Sequence, residues 1–157
     1  MKTLVLGLGN ELYGDDGVGH HVIHHLNQDH DLIQDLARKN QDVEFIESPL
    51  TGLALLDTIV DFDALIIIDT IKKVTPTTGK IHELEKNQLR HLPGPSPHYV
   101  SIPQVIDMGN QIGLRMPSEI KIIGVEARNL YHVGEDLSED MERAIPKIIQ
   151  RVKVLLE

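Results

Sequence analysis

The chain has 157 residues, 41% of them apolar and only 3% aromatic, and its formal net charge is -9. That length suits one domain, residues 1–157, with a core built mainly from Leu, Ile and Val. The sequence contains no cysteine, which excludes disulfides, a thiolate nucleophile and any cysteine-ligated metal site. The acidic balance, without a cluster of basic residues, argues against a nucleic-acid partner.

No segment of the sequence has the pattern of a targeting signal or a membrane span. The chain does not open with a basic region followed by an apolar one, and no apolar run approaches the roughly 20 residues that cross a bilayer. We therefore expect a cytoplasmic protein with no membrane partner, and a monomer when the protein is free.

Strands alternate with helices along the chain. Short aliphatic runs predict strands at residues 2–6, 43–46, 64–68, 78–84 and 120–126. Helical spacing of apolar residues predicts helices after Gly14, at 50–60, at 100–112 and from Ser138 onward. This alternation favours an α/β fold, a three-layer sandwich with one mostly parallel sheet of about five strands and helices on both faces.

Three local features refine this prediction. Residues 64–68 form a continuous aliphatic run, typical of a central strand, and we expect that strand to end at Asp69. Residues 92–98 contain three prolines and a glycine, which predicts an extended loop that carries His98. In the last helix Ser138 suits the N-cap, and Pro146 predicts a kink.

The glycine-rich segment 7–19 leaves the first strand and leads into a helix. A dinucleotide fingerprint would need a third glycine at position 12, where this chain has Leu12. Asp15 and Asp16 also lie where a phosphate would need a positive helix end. One aspartate there would be explained by the helix dipole, but two in a row are better explained if at least one faces a cation or a polar substrate.

The pattern Gly7-x-Gly9-Asn10-x-Leu12-x-Gly14-Asp15-Asp16-Gly17-x-Gly19 resembles the N-terminal signature of the hydrogenase maturation proteases. The resemblance extends to the aliphatic strand before Asp69 and to Ser96-Pro97-His98, which is similar to the family's Ser/Thr-Pro-His segment. Some family members have Glu in place of Asp16. The segment Glu47-Ser48-Pro49-Leu50-Thr51-Gly52 lacks the Asp-Gly-Gly that many relatives carry.

The resemblance implies a metal-recognition site made of Asp16, Asp69 and His98. Its activity would be that of an endopeptidase that removes the C-terminal peptide of a nickel-loaded large-subunit precursor of nickel-iron hydrogenase. The nickel would belong to the substrate. It would polarise the scissile carbonyl or lower the pKa of an attacking water, with Asp16 as the general base.

Two other functions stay open at this point. Histidines at i, i+4 spacing, His20 with His24 and His21 with His25, could chelate a metal, which would fit a non-enzymatic nickel-binding or nickel-delivery module. No acidic residue lies between them as in a zincin motif, so we interpret them as a solvated helix face. A nucleotide-dependent enzyme on the same scaffold is the other alternative.

Overall fold

The computed structural model of the chain describes residues 1–85, 97–128, 133–134 and 136–157, with the backbone alone at 97–101. Its sheet has five strands: β1 (Lys2–Leu8), β2 (Asp42–Ser48), β3 (Ala64–Lys73), β4 (Ile81–Glu85) and β5 (Glu119–Arg128). They are ordered β2-β1-β3-β5-β4, and all neighbours pair in parallel except β4 with β5. The predicted five-stranded, mostly parallel sheet is confirmed.

Helices cover both faces of this sheet. They are α1 (Val18–Gln28), α2 (His30–Arg38), α3 (Leu56–Ile59), α4 (Pro97–Gln111) and α5 (Glu139–Leu155). Leu4, Leu6 and Leu8 of β1 belong to a buried cluster with residues of α3 and α4. Val5 of the same strand belongs to a second cluster with residues of α1 and α5. The alternation along β1 therefore divides the core into two layers, and the predicted three-layer sandwich is confirmed.

Strand β3 is longer than the sequence analysis predicts. It pairs with β1 as far as Ile68, but its pairing with β5 continues through Asp69 to Lys73. The expectation that the strand ends at Asp69 is therefore wrong, because β5 supplies backbone partners after β1 has stopped. Asp69 instead marks the point where β3 passes beyond the pairing with β1.

The segment before His98 also differs from the prediction. Helix α4 begins at Pro97, so His98 lies in a helical first turn and not in an extended loop. Proline suits this position because the first helical residue needs no backbone N–H donor. Residues 86–96, which include Ser96 and the predicted loop, lie outside the described residues.

Other elements differ in their boundaries from those predicted from the sequence. The helix predicted at 50–60 consists of a 3-10 turn, Gly52–Leu55, followed by the single turn of α3. Helix α2 was not predicted, although its N-cap Asp29 accepts a hydrogen bond from the Leu32 amide at 3.0 Å. The strand predicted at 78–84 is β4, which begins later and runs antiparallel.

The C-terminal helix forms as expected. The Ser138 hydroxyl accepts a hydrogen bond from the Met141 amide at 3.3 Å, which confirms Ser138 as the N-cap of α5. The helix continues through Pro146, and its buried residues pack on the layer with α1. Among the described helices, none is both long and apolar enough to traverse a bilayer.

Glu126 of β5 connects the antiparallel edge to the rest of the sheet. Its buried carboxylate lies 2.7 Å from His82 Nε2 and 3.3 Å from Lys73 Nζ, and it accepts a hydrogen bond from the Thr77 amide at 3.2 Å. Burial by itself would raise the pKa of Glu126, but the interactions with His82, Thr77 and Lys73 outweigh it and lower the pKa to about 2.

Replacing Glu126 with Gln should lower the free energy of unfolding by about 2 kcal/mol near neutral pH, because a hydrogen-bonded charge is lost. The folded-state pKa of about 2 lies below the ordinary value of 4.5, so the stabilisation is present above 4.5 and is lost as the pH falls towards 2. Urea denaturation of the wild type and Glu126→Gln across this range measures the effect.

Glu119→Gln, on an exposed position of the same strand, is the matched control and should change stability little. A difference between wild type and Glu126→Gln that stays constant as the pH falls would contradict the assigned network.

Candidate functional site

Asp16 lies at the carboxyl edge of the sheet, in a 3-10 turn formed by Gly14–Gly17. Its side chain is buried and accepts hydrogen bonds from the Asn10 amide at 2.8 Å and from the Thr70 hydroxyl at 2.9 Å. The Lys72 ammonium lies 3.2 Å from Asp16 Oδ1. One aspartate of the acidic pair therefore does face a cation, and that cation belongs to β3.

Thr70 connects Asp16 to Asp69. The Thr70 hydroxyl donates to Asp16 Oδ1, and its backbone N–H donates to Asp69 Oδ1 at 2.8 Å. Both aspartates are buried, Asp69 completely so. Thr70 thus contacts two of the three residues that were predicted to recognise a metal, one through its hydroxyl and the other through its backbone.

The third predicted residue, His98, is placed by its backbone alone. Side chains alternate along β3, so Asp69 shares its face with Ile67 and Ile71, which pack with residues of α4. His98 is in the first turn of that same helix. Its side chain lies outside the described residues, and its distance from Asp69 therefore stays a prediction.

The neighbouring Asp15 has a different partner. Asp15 is half-buried, and its carboxylate accepts hydrogen bonds from the Ser138 amide at 2.7 Å and from the Ser138 hydroxyl at 2.9 Å. Asp15 therefore joins the glycine-rich segment to the start of α5. The two consecutive aspartates have separate roles, and Asp16 is the one that faces inward.

His20 departs from the expected solvated histidine face. It is buried, and its Nε2 lies 2.7 Å from the Gly9 carbonyl oxygen, so this nitrogen is the donor. Its Nδ1 is buried 3.4 Å from Glu47 Oε2 and makes no hydrogen bond. His24 and His25 are exposed as expected. Across the described part of the chain, no group of three or more His, Asp or Glu side chains is arranged to hold a metal.

The peptide group between Gly9 and Asn10 is held on both sides. Its carbonyl accepts from His20, and its N–H donates to Asp16 Oδ2. Gly9 has φ of +128°, and a methyl group there would lie 2.0 Å from the Asp16 carbonyl oxygen. Glycine is required at this position because a side chain would push the acidic turn away from β1.

A cavity of about 280 Å³ borders the site, and Tyr13, Asp16, Lys72 and Arg128 are among the residues that line it. It contains both carboxylate and cationic groups, so it can accept the polar main chain of a peptide.

The sequence analysis missed Thr70 and Lys72. These two residues are two positions apart, so they lie on one face if the strand continues beyond Asp69, where the sequence analysis expected it to end.

Gly9→Ala should lower the free energy of unfolding by about 3 kcal/mol, because it combines a strained φ with a backbone clash. Gly52→Ala is the matched control, since Gly52 has φ of +60° but no atom within 4 Å of an added methyl group. We expect that control to lose only about 1 kcal/mol. Equal losses in urea denaturation would show that the close approach of Gly9 to Asp16 is unimportant.

Comparisons with known proteins show the family to which the chain belongs. The model of the hydrogenase maturation protease family matches residues 21–154. The chain is 29% identical over 159 aligned positions to the hydrogenase 2 maturation protease of Escherichia coli K12, covering 99% of this chain and 91% of that protein.

Solved structures share the fold. The hydrogenase maturating endopeptidase HybD from E. coli superposes with a TM-score of 0.73 at 22% identity, covering 99% of this chain and 92% of that one. The NiFe hydrogenase maturation protease HybD from Thermococcus kodakarensis gives 0.68 at 21% identity and full coverage, 100% of each chain. Because the family model spans residues 21–154, most of the sequence, this chain belongs to the hydrogenase maturation protease family, and it is a peptide hydrolase.

Proposed function

We propose that this protein removes the C-terminal peptide from a nickel-loaded large-subunit precursor of a nickel-iron hydrogenase, acting as a free monomer in the cytoplasm. Family membership supports an endopeptidase role in hydrogenase maturation. The observation that carries the proposal furthest is the buried Asp16 carboxylate, joined to Asp69 through Thr70 and bordering a cavity.

The proposed ligands for the substrate's nickel are Asp16, Asp69 and His98. Two carboxylates and one imidazole suit a borderline divalent ion such as nickel. Asp16 Oδ2 accepts a hydrogen bond from the Asn10 amide and keeps acceptor capacity for a cation. Three protein ligands leave coordination positions for the groups by which the precursor holds its own metal.

Peptide hydrolysis in this site needs an activated water and a stabilised carbonyl oxygen. The substrate's nickel would polarise the scissile carbonyl or lower the pKa of the water. We assign Asp16 as the general base, because its carboxylate borders the cavity where the peptide would lie. The water oxygen bonds to the carbonyl carbon, the C–N bond breaks, and the proton taken by Asp16 passes to the departing amine.

The two alternative functions have less support. His20 Nε2 donates to the Gly9 carbonyl, so His20 could join His24 in chelating a metal only through Nδ1, which is buried beside Glu47. A nucleotide phosphate would need backbone N–H donors of the glycine-rich segment, but the Asn10 amide already donates to Asp16. A nickel-delivery module and a nucleotide-dependent enzyme are both disfavoured by these contacts.

We expect the purified protein to shorten a nickel-loaded precursor and to leave the nickel-free form of the same precursor intact. The reason is that the proposed set of two carboxylates and an imidazole can form coordination bonds only with a precursor that carries its metal. Intact mass spectrometry of both precursor forms measures the outcome. Cleavage of both forms at equal rates would remove nickel recognition from the proposal while leaving the protease activity in place.

Asp16→Asn should reduce the cleavage rate by roughly 100-fold or more, because the isosteric amide can neither accept the water proton nor bind a cation as strongly. Asp15→Asn is the matched control and should change the rate only a few-fold, while weakening the contact with Ser138 by about 1 kcal/mol. Circular dichroism checks that both variants fold. Equal rates for the two variants would show that Asp16 is not the base.

His98→Ala should likewise abolish cleavage of the nickel-loaded precursor, because the imidazole is the one nitrogen ligand of the proposed set. Single-turnover rates and the mass of the precursor measure this loss. A folded His98→Ala variant with the wild-type rate would exclude His98 from the site.

A further inference from the structure

Lys72 lies beside Asp16, one of the proposed ligands for the nickel of the substrate. Its ammonium lies 3.2 Å from Asp16 Oδ1, with 22% of the lysine side chain and 8% of the aspartate side chain exposed. The backbone of Lys72 is fixed in β3, where it pairs with Ala127 of β5. Only the flexible stem of the lysine can therefore carry the ammonium towards or away from the carboxylate.

We propose that Lys72 is an internal counter-ion that holds the Asp16 carboxylate until a metal ion carried by the substrate displaces its ammonium. This inference rests on the proposed function, in which Asp16 is a ligand to the nickel of the precursor. It adds a residue that sets which metal the site accepts, namely a metal presented by a docked protein and not a free ion.

The physical basis is competition between two cations for one carboxylate. An ammonium at hydrogen-bonding distance from Asp16 Oδ1 repels a divalent ion arriving at the same group, and the low exposure of the pair weakens solvent screening of that repulsion. A divalent ion that binds Asp16 Oδ2 would share one carboxylate with the ammonium at Oδ1, and repulsion between the two cations drives the ammonium away. The cavity lined by Asp16 and Lys72 has room for this movement, with about 280 Å³ of space.

A free ion and a precursor-bound ion meet this barrier differently. A free ion must displace Lys72 using the binding energy of a few protein ligands alone. A precursor brings its metal together with the contacts of the docked protein, and these contacts help to offset the displacement. Lys72 thus lowers the affinity of the site for free metal ions, while a metal ion presented by the docked precursor can still bind.

The test is isothermal titration of the free protein with nickel chloride, comparing wild type with Lys72→Met. We expect Lys72→Met to bind one nickel ion roughly 10- to 100-fold more tightly than wild type. Lys72→Arg keeps the charge and should bind as weakly as wild type.

Lys73→Met is the matched control for net charge. Lys73 is adjacent in β3, but its ammonium pairs with Glu126 and not with Asp16. It should leave nickel affinity unchanged. The double variant Asp16→Asn with Lys72→Met should lose the tight site, and so measures the background binding by exposed histidines such as His24 and His25.

Equal nickel affinity in wild type and Lys72→Met, or no tight site in Lys72→Met, would overturn the role of Lys72. A gain in affinity that persists in the double variant would overturn it as well. The proposed function fails separately: its test is precursor cleavage by wild type against Asp16→Asn, and a wild-type enzyme that cuts only nickel-loaded precursor stands whatever Lys72 does.

Discussion

Burying the charged carboxylate of Asp16 costs free energy, and the elements that surround it supply the groups that offset this cost. Removing its charge from water is tolerable only because donors converge on it, the Asn10 amide, the Thr70 hydroxyl and the Lys72 ammonium. Two of these donors lie on the part of β3 that extends beyond β1. That extension depends on backbone pairing with β5. The extended pairing of β3 with β5 therefore positions two of the three groups that stabilise the buried carboxylate of Asp16.

A single peptide group connects helix α1 to the same carboxylate through hydrogen bonds. The Gly9 carbonyl accepts from His20 of α1, and the N–H of the same peptide unit donates to Asp16. Hydrogen bonds at the two ends of one peptide polarise each other, so each strengthens the other. Two hydrogen bonds on one peptide group therefore hold helix α1, the loop and the carboxylate to one another. The buried and unpaired Nδ1 of His20, close to Glu47, is a tolerated cost of this arrangement.

The sequence pattern predicted the sheet, its helical layers and the inward role of an aspartate in the glycine-rich segment, because these follow from aliphatic runs and a recognisable motif. It could not predict Thr70 and Lys72, since the aliphatic signal stops at Asp69 and the strand continues only by pairing with β5. The histidine spacing predicts a solvated position for His20, because helical spacing does not show which face is buried against a loop. The metal roles of Asp16 and His98 remain predictions.

The bond between Asp15 and Ser138 joins residues 123 positions apart in the chain. The partners of Asp16, by contrast, are Asn10, Thr70 and Lys72, all in the first half of the sequence. During synthesis the inward-facing aspartate can acquire its full set of partners only once β5 has been made, because the end of β3 that carries Thr70 and Lys72 depends on pairing with β5. Its neighbour has to wait until α5 begins to emerge. Two adjacent residues of one turn thus belong to different stages in the assembly of the molecule.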